Sequence, residues 1–531
     1  MRPWVLAALG VLGAGCVGIV EPFPEVPGGS PDALLTSAPD AASEAADAAE
    51  EAGADAETAR DASPAVPSDA QAPDAAAARD AAEHPGDASQ FPPDASPRPD
   101  SGAPADAAVV VTGGSRVLYP ADRTLSPLTA EIVANLRAIA ARGTGLRPDV
   151  FMKVGDSITV NSAFLSCFDG DVTGQSPSWE TNVLLDGRTE LEGTIQRFRS
   201  AVVGTGSPFS RVSLAAKVGV SASYPLSGNP APLESELAAT QAQYAIVMYG
   251  SNDIGLGGGA AYPLEQKLAP YEASLLADVD ALMARGVIPV VTTMPPRQDD
   301  PRYLTLVPHF TAVARAIAQG RQIPLIDLNR ELMALPAPHG IGGDGIHPTV
   351  QSYNSGCWFR PQDLGYGYNV RNLATLQELH LLDRIFNEGA DAIDPPMPTL
   401  EGTGSTGSPI RVGQLPFTDL RDTSTSTSSS LSTYGCPGAT AAPGPEVVYE
   451  LTLTAPTALR ATVLDQKTNR VALYLLDGTD GGSCLKSASR TIAGTLAAGT
   501  YFFAVDSLGV TGAEYTFTVV ECDSADTSCT D

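Results

Sequence analysis

Ser157 follows a short apolar run, Asp149-Val150-Phe151-Met152-Lys153-Val154, and the tight sequence Gly155-Asp156. The run is brief, rich in residues that favour strands and bounded by turn formers, so it reads as a buried strand. Gly155 lets the backbone turn sharply at its end. The serine then stands at the carboxyl edge of a sheet, where open α/β sheets place their ligands. A serine hydroxyl is a poor nucleophile until a base takes its proton, and histidine suits that task near neutral pH. The chain has five histidines. His84 lies in a low-complexity stretch, and His309 and His380 fall in predicted helices. His339 and His347 share the loop region after the last strand of this part. Only His347 has a carboxylate, Asp344, placed to accept from its ring N–H and stabilise the imidazolium. His339 is the reserve base. Asn252, in Gly250-Ser251-Asn252-Asp253, carries an amide donor that suits a developing oxyanion, although a turn role would also explain it. Asp253 is expected to brace that loop through backbone N–H groups.

These residues need elements to position them. Leu128 to Arg142 has helical spacing and leads into the first strand. Arg211 to Val218 is a candidate strand, and Tyr244 to Tyr249 is a clear apolar one. Leu264 to Arg285 reads as an amphipathic helix stopped by Gly286. Val287 to Thr293 is a strand interrupted by Pro289. Tyr303 to Gln319 is a helix, Ile323 to Asp327 a short strand, and Val370 to Asn387 a final helix. Apolar strands alternating with helices imply a parallel sheet covered on both faces, an α/β fold. Ser157, Gly219, Asn252 and the Asp344–His347 loop each follow a predicted strand, so they can converge on one sheet edge.

The ordered set Gly-Asp-Ser, a lone Gly, Gly-x-Asn-Asp and Asp-x-x-His resembles the four blocks of the SGNH (GDSL-type) hydrolases, over roughly residues 120–392. The resemblance implies a three-layer, flavodoxin-like parallel sheet. It also implies an esterase with Ser157 as nucleophile, His347 as base with Asp344, and an oxyanion hole from Ser157, Gly219 and Asn252. No cofactor or metal is implied. The family often carries Asn two positions before the block-two glycine, where this chain has Lys217; Gly204 or Gly206 could take the place of Gly219. Cys167 and Cys357 lie ten residues after Ser157 and His347 respectively. If the serine meets the histidine, the two cysteines emerge from neighbouring loops, and a Cys167–Cys357 disulfide is predicted. Residues 168–210, with Trp179, form a candidate roof over the pocket; Trp358, Phe359 and Tyr224 are further lining candidates. There is no Gly-x-Ser-x-Gly elbow, no His-Glu-x-x-His, no Cys-x-x-Cys and no phosphate loop after the first strand. Typical α/β-hydrolase, zinc and dinucleotide readings are thereby disfavoured.

Around this centre the chain is organised as an exported protein. Residues 1–16 have Arg2, an apolar run from Trp4 to Leu12 and then Gly13-Ala14-Gly15-Cys16, which resembles a bacterial lipoprotein signal with Cys16 as the lipidated residue. Residues 17–110 are rich in Ala, Asp and Pro, with Pro-Asp-Ala units at Pro31, Pro39, Pro73 and Pro93. Such a stretch buries too little apolar area to offset its ordering entropy and reads as a disordered tether. Nineteen acidic and three basic residues between 21 and 108 supply most of the net charge of −29, so the acidity is mainly a linker property. Nucleic acid is excluded as a partner by the lack of clustered Lys and Arg. The hydrolase-like region spans 115–395 and a linker 396–411.

Residues 412–531 form the last region. Its short alternating runs, Val447 to Leu453, Leu459 to Val463, Val471 to Leu476, Thr491 to Leu496, Tyr501 to Asp506 and Ala513 to Val520, indicate an antiparallel β-sandwich. The run Leu496 to Val505 resembles the final hairpin of bacterial pre-peptidase C-terminal domains. Asp477 and Asp480 read as a solvated hairpin turn. Cys436, Cys484, Cys522 and Cys529 allow three pairings. The whole predicts a monomeric serine esterase, anchored by lipid at the outer membrane or otherwise extracellular. Its expected substrate is an acetyl or other short acyl ester of a carbohydrate such as a polysaccharide; the alternatives are a lipase or lysophospholipase, and a catalytically inert surface carbohydrate-binding lipoprotein.

Overall fold

The computed structural model describes residues 116–169, 183–257, 259, 263–352, 355–465 and 470–529. The expected signal (1–16) and tether (17–110), with Cys16 and His84, and Trp179 lie outside them. All described residues fall in one compact unit.

Strands β1 (Arg147–Gly155), β2 (Ala242–Met248), β3 (Ile288–Thr292) and β4 (Leu325–Ile326) form a parallel sheet in that spatial order. Every residue of β2 and β3 is buried. That is why these strands read as apolar runs rather than as alternation: both faces of the sheet are covered. Among the described residues eight helices surround it: α1 (Ala130–Ala140), α2 (Ser157–Val160), α3 (Glu192–Ser200), α4 (Pro232–Thr240), α5 (Leu264–Ala284), α6 (Pro301–Arg321), α7 (Leu328–Met333) and α8 (Gly367–Phe386). The rings of Phe198 on α3 and Phe386 on α8 pack edge-on against Tyr244 of β2, and Phe198 also meets Phe151 of β1. α5 and α6 join through Tyr271 and Phe310.

The expected strand at Arg211 to Val218 is reduced to one parallel bridge, Ala216 to Gly155, on the free side of β1. Ser213 explains the shortening. Its hydroxyl accepts the N–H of Ala215 at 3.1 Å, and its carbonyl the N–H of Ala216 at 3.4 Å. This local turn withdraws the segment from a longer ladder.

Among the described residues nine further strands make the sandwich: β5 (Ile410–Val412), β6 (Phe417–Asp422), β7 (Glu446–Leu453), β8 (Thr457–Asp465), β9 (Val471–Leu476), β10 (Cys484–Ala488), β11 (Thr491–Leu496), β12 (Gly499–Ser507) and β13 (Glu514–Glu521). One sheet has the order β10-β9-β12-β7-β5 and the other β11-β8-β13-β6. Tyr515, Phe517 and Val519 of β13 point into the core between them. The alternate residue Thr516 points out of the sandwich and donates to Glu272 of α5 at 2.8 Å. Leu420 and Leu464 join the core of the α/β part. α6 therefore lies beneath a sandwich sheet as well as against the parallel sheet, and it is buried continuously from His309 to Arg321.

Cys167 is bonded to Cys357, Cys436 to Cys484 and Cys522 to Cys529. Asp480 caps its own turn, accepting the Gly482 N–H at 2.9 Å. Among the described residues no helix is long and apolar enough to cross a membrane.

Candidate active site

β1 ends at Gly155, and α2 begins two residues later with Ser157. Gly155 is needed for close approach. A Cβ there would come within 2.3 Å of Thr159 Oγ1 and 2.8 Å of the Met248 carbonyl. Asp156 caps α2 by accepting the Ile158 N–H at 3.0 Å. Its other oxygen is buried without a partner, and burial pushes the carboxyl up to about 6.

Ser157 Oγ lies 2.8 Å from His347 Nε2, and His347 Nδ1 lies 2.6 Å from Asp344 Oδ2. A proton on Nδ1, donated to Asp344, leaves Nε2 bare to accept from the serine. Asp344 Oδ1 meanwhile accepts the N–H groups of Ile346 and His347, both at 3.0 Å. Burial opposes the charge of Asp344, but these two N–H groups and the imidazole hold its pKa below the usual carboxylate value. The loop closes through Gly345, whose φ of 71° is left-handed. A Cβ on Gly345 would meet the Asp299 backbone nitrogen at 2.5 Å, so no other residue fits there.

Two more loops reach the same edge. Lys217 N–H donates to the Gly155 carbonyl at 3.0 Å, which fixes the segment leading to Gly219. Gly219 is exposed and left-handed, with φ 75°. Asn252 Nδ2 donates one hydrogen to the Val220 carbonyl at 2.9 Å, leaving its second amide hydrogen for another acceptor. Among the described residues no acceptor takes the N–H of Ser157 or of Gly219. Asp253 braces both loops: Oδ1 accepts from Ala222 at 3.1 Å and Oδ2 from Gly250 at 3.1 Å. Burial pushes Asp253 up to about 6.

Other candidates fall elsewhere. His339 gives its ring nitrogen to the Leu335 carbonyl at 2.7 Å. Gly204 and Gly206 sit in a local turn closed by the Val203–Gly206 bridge. Phe359 is core, packed near Phe168. Tyr224 lies under Lys217 and donates to the Leu214 carbonyl at 3.3 Å. The guanidinium of Arg360 stands over the Trp358 ring. His309 and His380 are helix residues, buried or half-buried against α6 and α8 surroundings.

Sequence reasoning missed Arg371 of α8. It is fully buried, donates to the Ile158 carbonyl at 2.8 Å and to Thr159 Oγ1 at 2.9 Å, and stacks over Phe164. Tyr368 reaches the same carbonyl at 3.2 Å. One turn on, Asn372 takes the Leu165 N–H at 3.0 Å and donates to the Ala163 and Gly356 carbonyls at 2.8 and 2.9 Å. α8 thus ties the serine segment to the chain that follows His347, beside the Cys167–Cys357 bond. A cavity of about 280 Å³ flanks α2, lined by Lys153, Thr159, Ser162, Ser166, Val212 and Ala216 among others. Lys153 is buried there and donates to the Phe209 carbonyl at 3.0 Å; burial lowers its pKa to about 8.

Residues 153–354 match the GDSL-like Lipase/Acylhydrolase family. Among solved structures, the chain is similar to an acetylxylan esterase from Geobacillus stearothermophilus, with 17% identity and a TM-score of 0.28, over 45% of this chain and 95% of that one. It is also similar to a GDSL-like lipase from Bacteroides thetaiotaomicron, with 12% identity and a TM-score of 0.27, over 47% and 98%. No curated protein matches it. The chain carries a GDSL-like lipase/acylhydrolase domain and is a carboxylic ester hydrolase.

Proposed function

We propose that this ester hydrolase works through an acyl-serine intermediate on Ser157. The observation that carries the reading is the continuous contact from Ser157 Oγ through His347 to Asp344. His347 Nε2 takes the hydroxyl proton as Oγ attacks the ester carbonyl. The oxyanion is held by the free N–H groups of Ser157 and Gly219 and the second hydrogen of Asn252 Nδ2. His347 then gives its proton to the departing alcohol. A water, deprotonated by His347, releases the acid and restores the serine. Each oxyanion donor is worth about 10²–10³ in kcat.

The substrate is proposed to be a short acyl ester of a carbohydrate. Features expected of an exported protein support this reading: the signal-like leader, the Ala-, Asp- and Pro-rich stretch after it, and cysteines that are all paired in the described part. In this reading Cys16 carries the lipid that holds the enzyme at the outer membrane. A second reading, esters of longer acyl chains, is favoured by the exposed Val160, Val212, Leu214, Val218 and Leu256 on the segments around the serine.

A fluorophosphonate probe should label the wild-type chain and not Ser157→Ala, whose turnover of short esters falls by about 10⁴-fold or more. Absence of labelling, or a Ser157→Ala variant that keeps its turnover, would remove Ser157 as the nucleophile. In a chain-length series, acetyl esters should be preferred; a rise in kcat/KM from acetyl to long acyl chains would replace the carbohydrate reading.

A further inference from the structure

On the outer face of the sandwich sheet, two acidic residues stand directly opposite each other. Glu446 of β7 and Asp506 of β12 are register partners across an antiparallel pair. Opposed side chains on one face have Cβ atoms about 4.5–5.5 Å apart. Their neighbours two positions along, Val448 and Ala504, belong to the small apolar cluster on that face. The cluster also takes in Leu431 and Ala442 from residues 423–445, the strap between β6 and β7 that covers it.

Both acids are 0% exposed. Glu446 Oε1 accepts from Ser428 Oγ at 2.5 Å and from the N–H and hydroxyl of Ser430 at 3.0 and 2.9 Å. Asp506 Oδ2 accepts from Tyr434 at 2.6 Å. The second oxygen of each carboxylate, Glu446 Oε2 and Asp506 Oδ1, is buried and has no partner. Among the described residues no Lys, Arg or His forms an ion pair with either acid. Burying two facing carboxylates without a counter-charge is strongly unfavourable. Something must neutralise them.

We propose that Glu446 and Asp506 hold a Ca²⁺ ion beneath the strap. The donor chemistry is oxygen throughout: two carboxylates, and the hydroxyls of Ser428, Ser430 and Tyr434 within the same shell of contacts. The charges balance as two negative to two positive. Hard oxygen ligands on a hydroxyl-bearing loop suit the flexible coordination of Ca²⁺ better than the strict octahedron of Mg²⁺, and no nitrogen or thiolate is present for a softer metal. The ion would fasten the strap at one end. The Cys436–Cys484 bond and the Tyr434 ring, stacked 3.5 Å from Tyr474, fasten it further along.

The test uses the full chain, stripped with EDTA and titrated with CaCl₂ alone. Equilibrium dialysis should show Ca²⁺ binding with half-saturation on the order of 0.1–1 mM, the range of extracellular modules. The melting temperature should rise in calcium and fall back in EDTA. Glu446→Gln and Asp506→Asn should each lose the binding and the shift, and should melt in EDTA at or above the wild type, because one buried charge is gone. Turnover of a short ester below the melting range should be equal in calcium and EDTA, which separates this site from the serine centre. If wild-type chain binds no calcium and melts identically in both buffers, a shared proton neutralises the pair and the proposal falls. It also falls if both variants retain wild-type binding. Should a variant fail to fold, the wild-type comparison still decides.

Discussion

Asp344 does two things for His347, and they can be separated. Its Oδ2 meets the ring N–H, and its Oδ1 gathers the N–H groups of Ile346 and His347. Asp344→Asn keeps an oxygen for the loop but presents an amide N–H to the ring, which then favours the tautomer that cannot accept from Ser157. We expect kcat to fall on the order of 10³–10⁴-fold with the melting temperature nearly unchanged, measured by steady-state kinetics beside thermal unfolding. An unchanged kcat would remove Asp344 from the relay. The geometry around Ser157, His347 and Asp344 was legible because each motif is local: a turn after a strand, and an Asp three residues before a His. Arg371 was not. It lies in the middle of a helical pattern, and its meaning depends on which distant carbonyl, that of Ile158, the tertiary fold brings to it.

At the scale of elements, the loops that carry Gly219 and Asn252 depend on one carboxylate. Asp253 binds Ala222 with one oxygen and Gly250 with the other, so asparagine can satisfy only one of the two. The orphaned N–H costs about 1–3 kcal/mol. Asp253→Asn should therefore lower the melting temperature. It should also lower kcat more than it raises KM, because Asn252 and Gly219 sit on the loops that shift. A drop in stability with unaltered kcat would make Asp253 purely structural. The Cys167–Cys357 bond acts on the other pair of loops. It closes 190 residues, worth on the order of 3–5 kcal/mol through the unfolded chain. Cys167→Ser should lower the melting temperature accordingly, and partial heating should abolish activity earlier than in the wild type. Helices α5, α6 and α8 and the six long sandwich strands were legible from their periods. The strand at Arg211 to Val218 was not, because the alternation in its sequence competes with the Ser213 turn, and only the fold decides that contest. Short β5 and β10 escaped for a different reason, since three and five residues carry too little pattern, and β6 escaped because its apolar residues, Phe417 and Leu420, are three apart rather than two.

At the scale of the whole molecule, the sandwich and the α/β part are held by a shared core rather than by a hinge. Leu420 packs on Gly320 so closely that an added Cβ would lie 2.4 Å from its Cβ. Gly→Ala inside a helix normally stabilises by about 1 kcal/mol. Gly320→Ala should do the opposite, lowering the melting temperature by overpacking at about 1–3 kcal/mol. Nearby, Arg321 of α6 reaches both Asp280 of α5 and Glu514 of β13. Beside it Glu272 is buried, and that burial pushes its pKa up from 4.5 to about 7; Thr516 opposes the shift, while Glu514 and Asp465 add to it. A carboxyl with a raised folded pKa favours the folded state while protonated. Its stabilising contribution is complete below the unfolded value of 4.5 and is lost as pH rises through about 7. The difference is on the order of 3 kcal/mol. Glu272→Gln stays neutral and can still accept from Thr516. The variant should match the wild type near pH 4.5 and become increasingly more stable up to pH 8, read as the gap between two melting curves across that range. A gap that stays constant with pH would show that Glu272 is already ionised at the interface, its charge met by Arg321.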